Sequence, residues 1–124
     1  MNTVERILCA AIWYKDLELK KDIPIKFYLP VNIEKGVVFC GHRHVQCLYT
    51  KHVITGLRDA ESGEHEQGFL TSNNRFVDRR EAFKIAYKAN QIIGSIIDEL
   101  HKDEVFKLID ENQCSKELYS EDLY

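Results

Sequence analysis

Val37-Val38-Phe39-Cys40-Gly41-His42-Arg43-His44-Val45-Gln46-Cys47-Leu48-Tyr49 is the stretch in which the hydrophobic period changes. Two valines and a phenylalanine ahead of Gly41 suit a pleated strand. Beyond it Val45, Leu48, Tyr49, His52 and Val53 are spaced by three and four, which is the repeat of one helix face. The reading is a strand over 37–40, then a helix that opens near His42 and closes near Gly56, a C-cap glycine.

Upstream, residues 4–14 read as a strand with two apolar faces, Ile7, Cys9, Ala11 and Trp13 on one and Leu8, Ala10, Ile12 and Tyr14 on the other. Such a strand is central or covered on both sides. Residues 15–22 form an exposed turn, and Ile25–Leu29, bracketed by Pro24 and Pro30, reads as a short second strand. Downstream, residues 58–67 are a loop or short helical turn, and residues 68–72 a strand or extended segment. Asn73-Asn74 is a turn signal. Asp78 and Glu81 have the spacing of a capping box. Ala82, Ala86, Ala89, Ile93, Ile96 and Leu100 then repeat at alternating steps of four and three, predicting one long helix from Asp78 to Leu100, with Gly94 its weak point. A final helix is expected over 102–112. Strands first and helices after give an α+β fold: a small antiparallel sheet from the N-terminal half, packed with helices from the C-terminal half, in a single domain of residues 1–124. The stripe on the long helix is broad enough for burial in the chain's own core or for a partner helix from a second subunit.

The 124 residues are 44% hydrophobic and 30% charged, with a formal charge of −3. That composition belongs to an ordinary globular domain rather than a disordered chain. A net negative charge argues against a broad footprint on a nucleic-acid polymer and leaves room for a compact anion site. No apolar run approaches the roughly 20 residues of a membrane span. The N-terminal residues lack a secretory signal, so Cys9, Cys40, Cys47 and Cys114 are expected as reduced thiols.

Two segments carry candidate chemistry. In 40–47, zinc is poorly served, because His44 and Cys47 share a helix face that His42 does not, and no metal is expected. Anion binding fits the same segment: Gly41 admits close approach, and the helix start with Arg43 and His44 supplies donors. The competing reading is a solvated first turn. The second segment, residues 68–80, holds Arg75, Phe76, Arg79 and Arg80 beside hydroxyls and amides and ends at a helix start. These are groups for phosphate, base and ribose; the plainer reading is a hydrophilic turn leading into a capped helix. Asn90 and Gln91 are amides late in that helix, where a hydrogen-bonding role or simple exposure both fit. No nucleophile elbow, phosphate-binding glycine–lysine loop, zinc-protease helix or dinucleotide fingerprint is present. No catalytic residue is assigned.

Residues 68–82 (Gly-Phe-Leu-Thr-Ser-Asn-Asn-Arg-Phe-Val-Asp-Arg-Arg-Glu-Ala), with Ile85-Ala86 and Ala89-Asn90-Gln91-Ile92, resemble the core of a family of small phage proteins. Residues 7–14, the Gly41-His-Arg-His…Cys47 stretch and the ending Leu118-Tyr-Ser-Glu-Asp-Leu-Tyr fit it in the same order, so the resemblance covers most of the chain. The family is the Thoeris anti-defence sponge of the first type. The resemblance implies a protein of the infected host's cytoplasm that captures glycocyclic ADP-ribose without cleaving it, and so silences Thoeris signalling. It implies a homo-oligomer, a dimer or higher with a hexamer included, whose ligand sits at subunit interfaces. Some members take cyclic oligonucleotides of the CBASS system at a separate site, which is not placed on this sequence. Carried over by motif, the ligand residues are Arg75, Phe76, Arg79, Arg80 and Asn90, with Arg43 and His44 added. No cofactor and no membrane partner are implied. The alternative is a small nucleotide hydrolase or phosphodiesterase using His42, His44 or His52.

Overall fold

The computed structural model describes residues 4–18, 23–92 and 116–123. Strand β1 (Ile7–Tyr14) lies inside a four-stranded antiparallel sheet of order β2-β1-β3-β4, with β2 at Val37–Gly41, β3 at His65–Thr71 and β4 at Phe76–Asp78. Helices α1 (His44–Thr55) and α2 (Arg79–Lys88) cover one face. The fold is α+β, as expected, although α1 falls between β2 and β3 instead of after all the strands.

The two apolar faces of β1 are both used. Ile7, Ala10, Ile12 and Tyr14 pack under the helices with Val37, Phe39, Phe69, Cys47, Phe83 and Ala86. Ala11 packs on the opposite face with Leu29, Ile33 and Phe76, flanked by Trp13, Val38 and Leu70. Strict alternation would place Ile7 with Cys9 and Ala11. A register shift between Ile7 and Cys9 moves Ile7 to the helix side instead.

Ile25–Leu29 is not a strand. Ile25–Phe27 is a short 3-10 turn, closed by Phe27 N–H to the Pro24 carbonyl (3.0 Å) and Tyr28 N–H to the Ile25 carbonyl (3.1 Å). Its backbone groups are satisfied locally, so no ladder is needed. The segment 29–35 is then tied across the back of the sheet. The Trp13 indole donates to the Lys35 carbonyl (2.9 Å), and the Asn32 side-chain amide pairs with both backbone groups of Phe76, covering the edge strand β4.

The starts and stops of the helices are chemical. The Gln46 side chain accepts from the Arg43 N–H (2.7 Å) at the entry to α1, and Gly56 closes it in a left-handed conformation (φ 72°). Asp78 accepts from the Glu81 N–H (2.8 Å) at the entry to α2. Asn74, at φ 57°, makes the β3–β4 turn. The long helix stops far short of Leu100: α2 ends at Lys88 and Asn90 turns left-handed at φ 58°. The stop is tertiary. The Gln91 side chain accepts from Ile7 N–H and donates to the Ile7 carbonyl, both at 2.8 Å, filling the ladder beside the register shift. Ile93, Ile96, Leu100 and the expected helix 102–112 lie outside the described residues.

Candidate functional site

Gly68 is the middle residue of β3. It pairs with Ala11 on β1 and Asp78 on β4. A methyl group there would meet the Val77 carbonyl and stand 2.7 Å from Cζ of Phe76, so only glycine lets β4 and the Phe76 ring close over this point. The Gly68 carbonyl contacts Nε2 of His44 at 2.8 Å, and the His44 ring meets Phe69 edge-on at 5.0 Å. His44 therefore holds the first turn of α1 against β3. Burial pushes its pKa below the ordinary histidine value, and the charge of Arg79 acts in the same direction; the Gly68 carbonyl and Glu121 oppose.

Arg79, first residue of α2, turns toward the same point. It donates to the Leu118 carbonyl (2.8 Å) and to Oε1 of Gln67, and its guanidinium lies 4.6 Å from the centre of the Tyr119 ring. Its backbone carbonyl accepts from Leu118 N–H (2.9 Å). Arg43 reaches the Ser120 hydroxyl at 3.5 Å. The segment 118–121 thus lies across a corner made by the starts of both helices. Leu118 and Ser120 are buried there, whereas Tyr119 is 49% exposed. Among the described residues, every hydrogen-bond acceptor of the Arg79 guanidinium is uncharged.

Of the seven residues named from sequence, the fold brings together Arg43, His44 and Arg79. Arg80 is exposed on the next position of α2 and does not share the corner's contacts. Arg75 sits at the hairpin tip, roughly 13 Å of extended chain from Arg79. There it forms a two-pronged ion pair with Glu5 (2.7 and 2.9 Å) that also takes the Thr71 hydroxyl (2.6 Å). Phe76 is not free to stack on a base: it is only 5% exposed, faces Trp13 at 6.0 Å and belongs to the back core. Asn90 lies beyond the far end of α2, a helix of ten residues and about 15 Å. It is not a late helical residue but the turn after the helix, and the amide with the hydrogen-bonding role is its neighbour Gln91.

Sequence reasoning missed Gln67 and Tyr119 as parts of this corner. Tyr119 had a signal, an aromatic in an acidic tail; Gln67 had none, because its place depends on pairing opposite Ile12. The segment 40–47 does not converge on an ion. His44 Nε2 is taken by a carbonyl, and the buried Cys47 thiol points at the Ala10 carbonyl (3.5 Å). Among the described residues no three His, Cys, Asp or Glu side chains gather as a metal site, and no helix is long and apolar enough to cross a membrane.

A protein-family model described as phage T4 y16D protein matches residues 6–124, nearly the whole chain. The chain belongs to the phage T4 y16D protein family. Membership in the y16D family establishes kinship with phage proteins; the family's description names no ligand and no activity. No curated protein and no solved structure matches the chain.

Proposed function

We propose that this y16D-family chain is a phage sponge that binds a cyclic ADP-ribose-type signalling nucleotide without cleaving it and so blocks Thoeris signalling in the cytoplasm of the infected host. The observation that carries the reading is the guanidinium of Arg79: its acceptors among the described residues are neutral, it stands at a helix start beside Arg43 and His44, and it underlies the exposed Tyr119 ring. A pyrophosphate carries two negative charges, and arginine forks on a helix N-terminus are the donors suited to take it from water. Tyr119, in place of the buried Phe76, is the ring on which an adenine stacks. Burial lowers the pKa of His44 and its Nε2 lies against a carbonyl, so it serves in positioning rather than as a base.

The Tyr119 ring leaves the corner exposed on one side. A second copy of the chain is the natural lid, and the proposal therefore includes a homo-oligomer. The surface offered for it among the described residues is on α1. There Val45, Tyr49, Val53 and Ile54 are all exposed, with Val53 at 79%, although the spacing of the first, second and third marks one apolar face.

Glycocyclic ADP-ribose mixed with the protein and released by heating separates the sponge from a small hydrolase. Intact nucleotide, recovered stoichiometrically and lost in Arg79→Ala, is the expected result. Cleaved nucleotide overturns the sponge in favour of hydrolysis. Thermal stability unchanged by the ligand removes the nucleotide site altogether.

A further inference from the structure

The two edges of the sheet are finished differently. At one edge β4 is three residues long, and the segment 29–35 binds it and its turn: Val31 N–H donates to the Asn74 carbonyl (2.7 Å), and Asn32 takes both backbone groups of Phe76. At the other edge β2 runs in unbroken register along β1, from Val37 opposite Tyr14 to Gly41 opposite Ala10. An antiparallel edge strand turns alternate N–H and C=O groups outward. Among the described residues no strand lies beyond β2, and no backbone–backbone hydrogen bond joins Val37–Gly41 to anything but β1. The devices that blunt an edge are missing from it too: Val37-Val38-Phe39-Cys40-Gly41 holds no proline, no charge and no bulge. The helix on this open side is α1, which follows β2 after only His42 and Arg43 and lies over β2 and β1, while α2 chiefly covers β3 and β4. It turns Cys47 and Lys51 to the core and leaves Val45, Tyr49 and Val53, one face by their four-residue spacing, in water.

We propose that β2 pairs antiparallel with β2 of a second copy of the chain about a two-fold axis, joining the two sheets into one, with α1 packed on its counterpart across the same axis. This names the interface of the homo-oligomer proposed above and rests on that reading for the presence of a second copy.

Three properties select a second copy over a foreign peptide. Antiparallel pairing of a strand with itself is what a two-fold axis produces. With no charged side chain on β2, self-pairing opposes no like charges. The spacings also agree. Strands lie about 4.8 Å apart, so a helix seated over β2 and β1 stands about 5 Å from an axis at the β2 edge, and the two copies of α1 about 10 Å from each other. Packed helices stand about 8–10 Å apart, so strands and helices close in one approach. A five-residue edge alone falls short of the roughly 1,200 Å² of a stable interface, and the α1 stripe adds the apolar area. A foreign strand would satisfy β2 and leave that stripe in water.

The test uses the full-length protein without nucleotide, so its outcome is separate from that of the sponge. Sedimentation at micromolar concentration gives the mass, and amide hydrogen exchange read by NMR reports on the edge. Wild type is expected as a dimer or a multiple of one, with the amides of Val38, Phe39 and Cys40 all protected. Val53→Glu and Tyr49→Glu change exposed positions and should keep the fold by circular dichroism. Each should halve the mass and speed exchange of the outward set, either Phe39 or its two neighbours, by at least about tenfold. A monomeric wild type overturns the interface and the homo-oligomer together. An oligomer whose outward β2 amides exchange freely overturns the interface alone, as do Val53→Glu and Tyr49→Glu proteins that stay assembled with those amides protected.

Discussion

Two arginines flank β4, four residues apart, and the protein treats them oppositely. Arg75 is locked to both oxygens of Glu5, and the Thr71 hydroxyl completes the cluster. Its charge is cancelled and its donors serve the hairpin tip. Arg79 is held by a carbonyl and an amide oxygen, which orient a guanidinium without neutralising it. Composition gives the two residues the same standing. What separates them is whether the partner is a carboxylate: an ion pair builds structure, while an arginine positioned by neutral acceptors keeps its charge available for an anion.

The largest expected effect tests the structural side. Phe76→Ala, next to Arg75, empties a site between Ala11, Leu29, Ile33 and Trp13. It should cost about 3–5 kcal/mol, read as a lower midpoint in urea unfolding. A stable variant that has instead lost nucleotide binding would return Phe76 to the ligand site and undo the contrast.

The second test sets the arginines side by side. Arg79→Ala should weaken nucleotide binding by tenfold or more, about 1.4 kcal/mol per decade, with the fold retained. Arg75→Ala should leave affinity unchanged and lower stability by about 1 kcal/mol, since the pair with Glu5 is partly exposed and screened. Calorimetric titration and urea melts of both variants decide it; equal losses of affinity would show that the two arginines form one site. Tyr119→Ala belongs with Arg79 and should lose about 1 kcal/mol or more of binding if the ring stacks a base.

The same contrast shows what the sequence carries. Local signals were readable: the change of period at Gly41, the Asp78 cap, the Asn73-Asn74 turn and the two apolar faces of β1 all concern neighbours in the chain. Apart from Ile25–Leu29, whose 3-10 turn closes on its own backbone, the misreadings involve distant partners. His65-Glu66-Gln67 is polar enough to pass for loop, yet it pairs with Tyr14, Trp13 and Ile12. The end of α2 is set by Gln91 bonding Ile7, 84 positions away. Phe76 sits on a three-residue strand, too short for periodicity to say which way the ring points. Glu5, which decides the role of Arg75, and the 118–121 segment, which marks Arg79, are equally remote in sequence. The residue types of the candidate site were legible, and their assembly was not.

The smallest effect concerns pH. Glu5 has its carboxyl held below the ordinary 4.5, first by the hydrogen bonds from Arg75, so its stabilisation is present above pH 4.5 and lost as pH falls through the lowered value. His44 is also depressed, from 6.5, but for the opposite reason: burial disfavours its charge. Above pH 6.5 both folded and unfolded chains hold it neutral and it contributes no slope; below 6.5 the unfolded chain takes the proton first, and stability is lost down to the folded value. A bound pyrophosphate would reverse that penalty, because an anion beside His44 favours the imidazolium. Nucleotide affinity should therefore rise a few-fold as pH falls from 7.5 to about 6, with proton uptake visible in the buffer dependence of the binding heat. His44→Gln should flatten the rise, and Arg75→Ala should leave it intact. An affinity independent of pH in wild type would place the phosphates away from His44 and confine the anion site to Arg79 and Arg43.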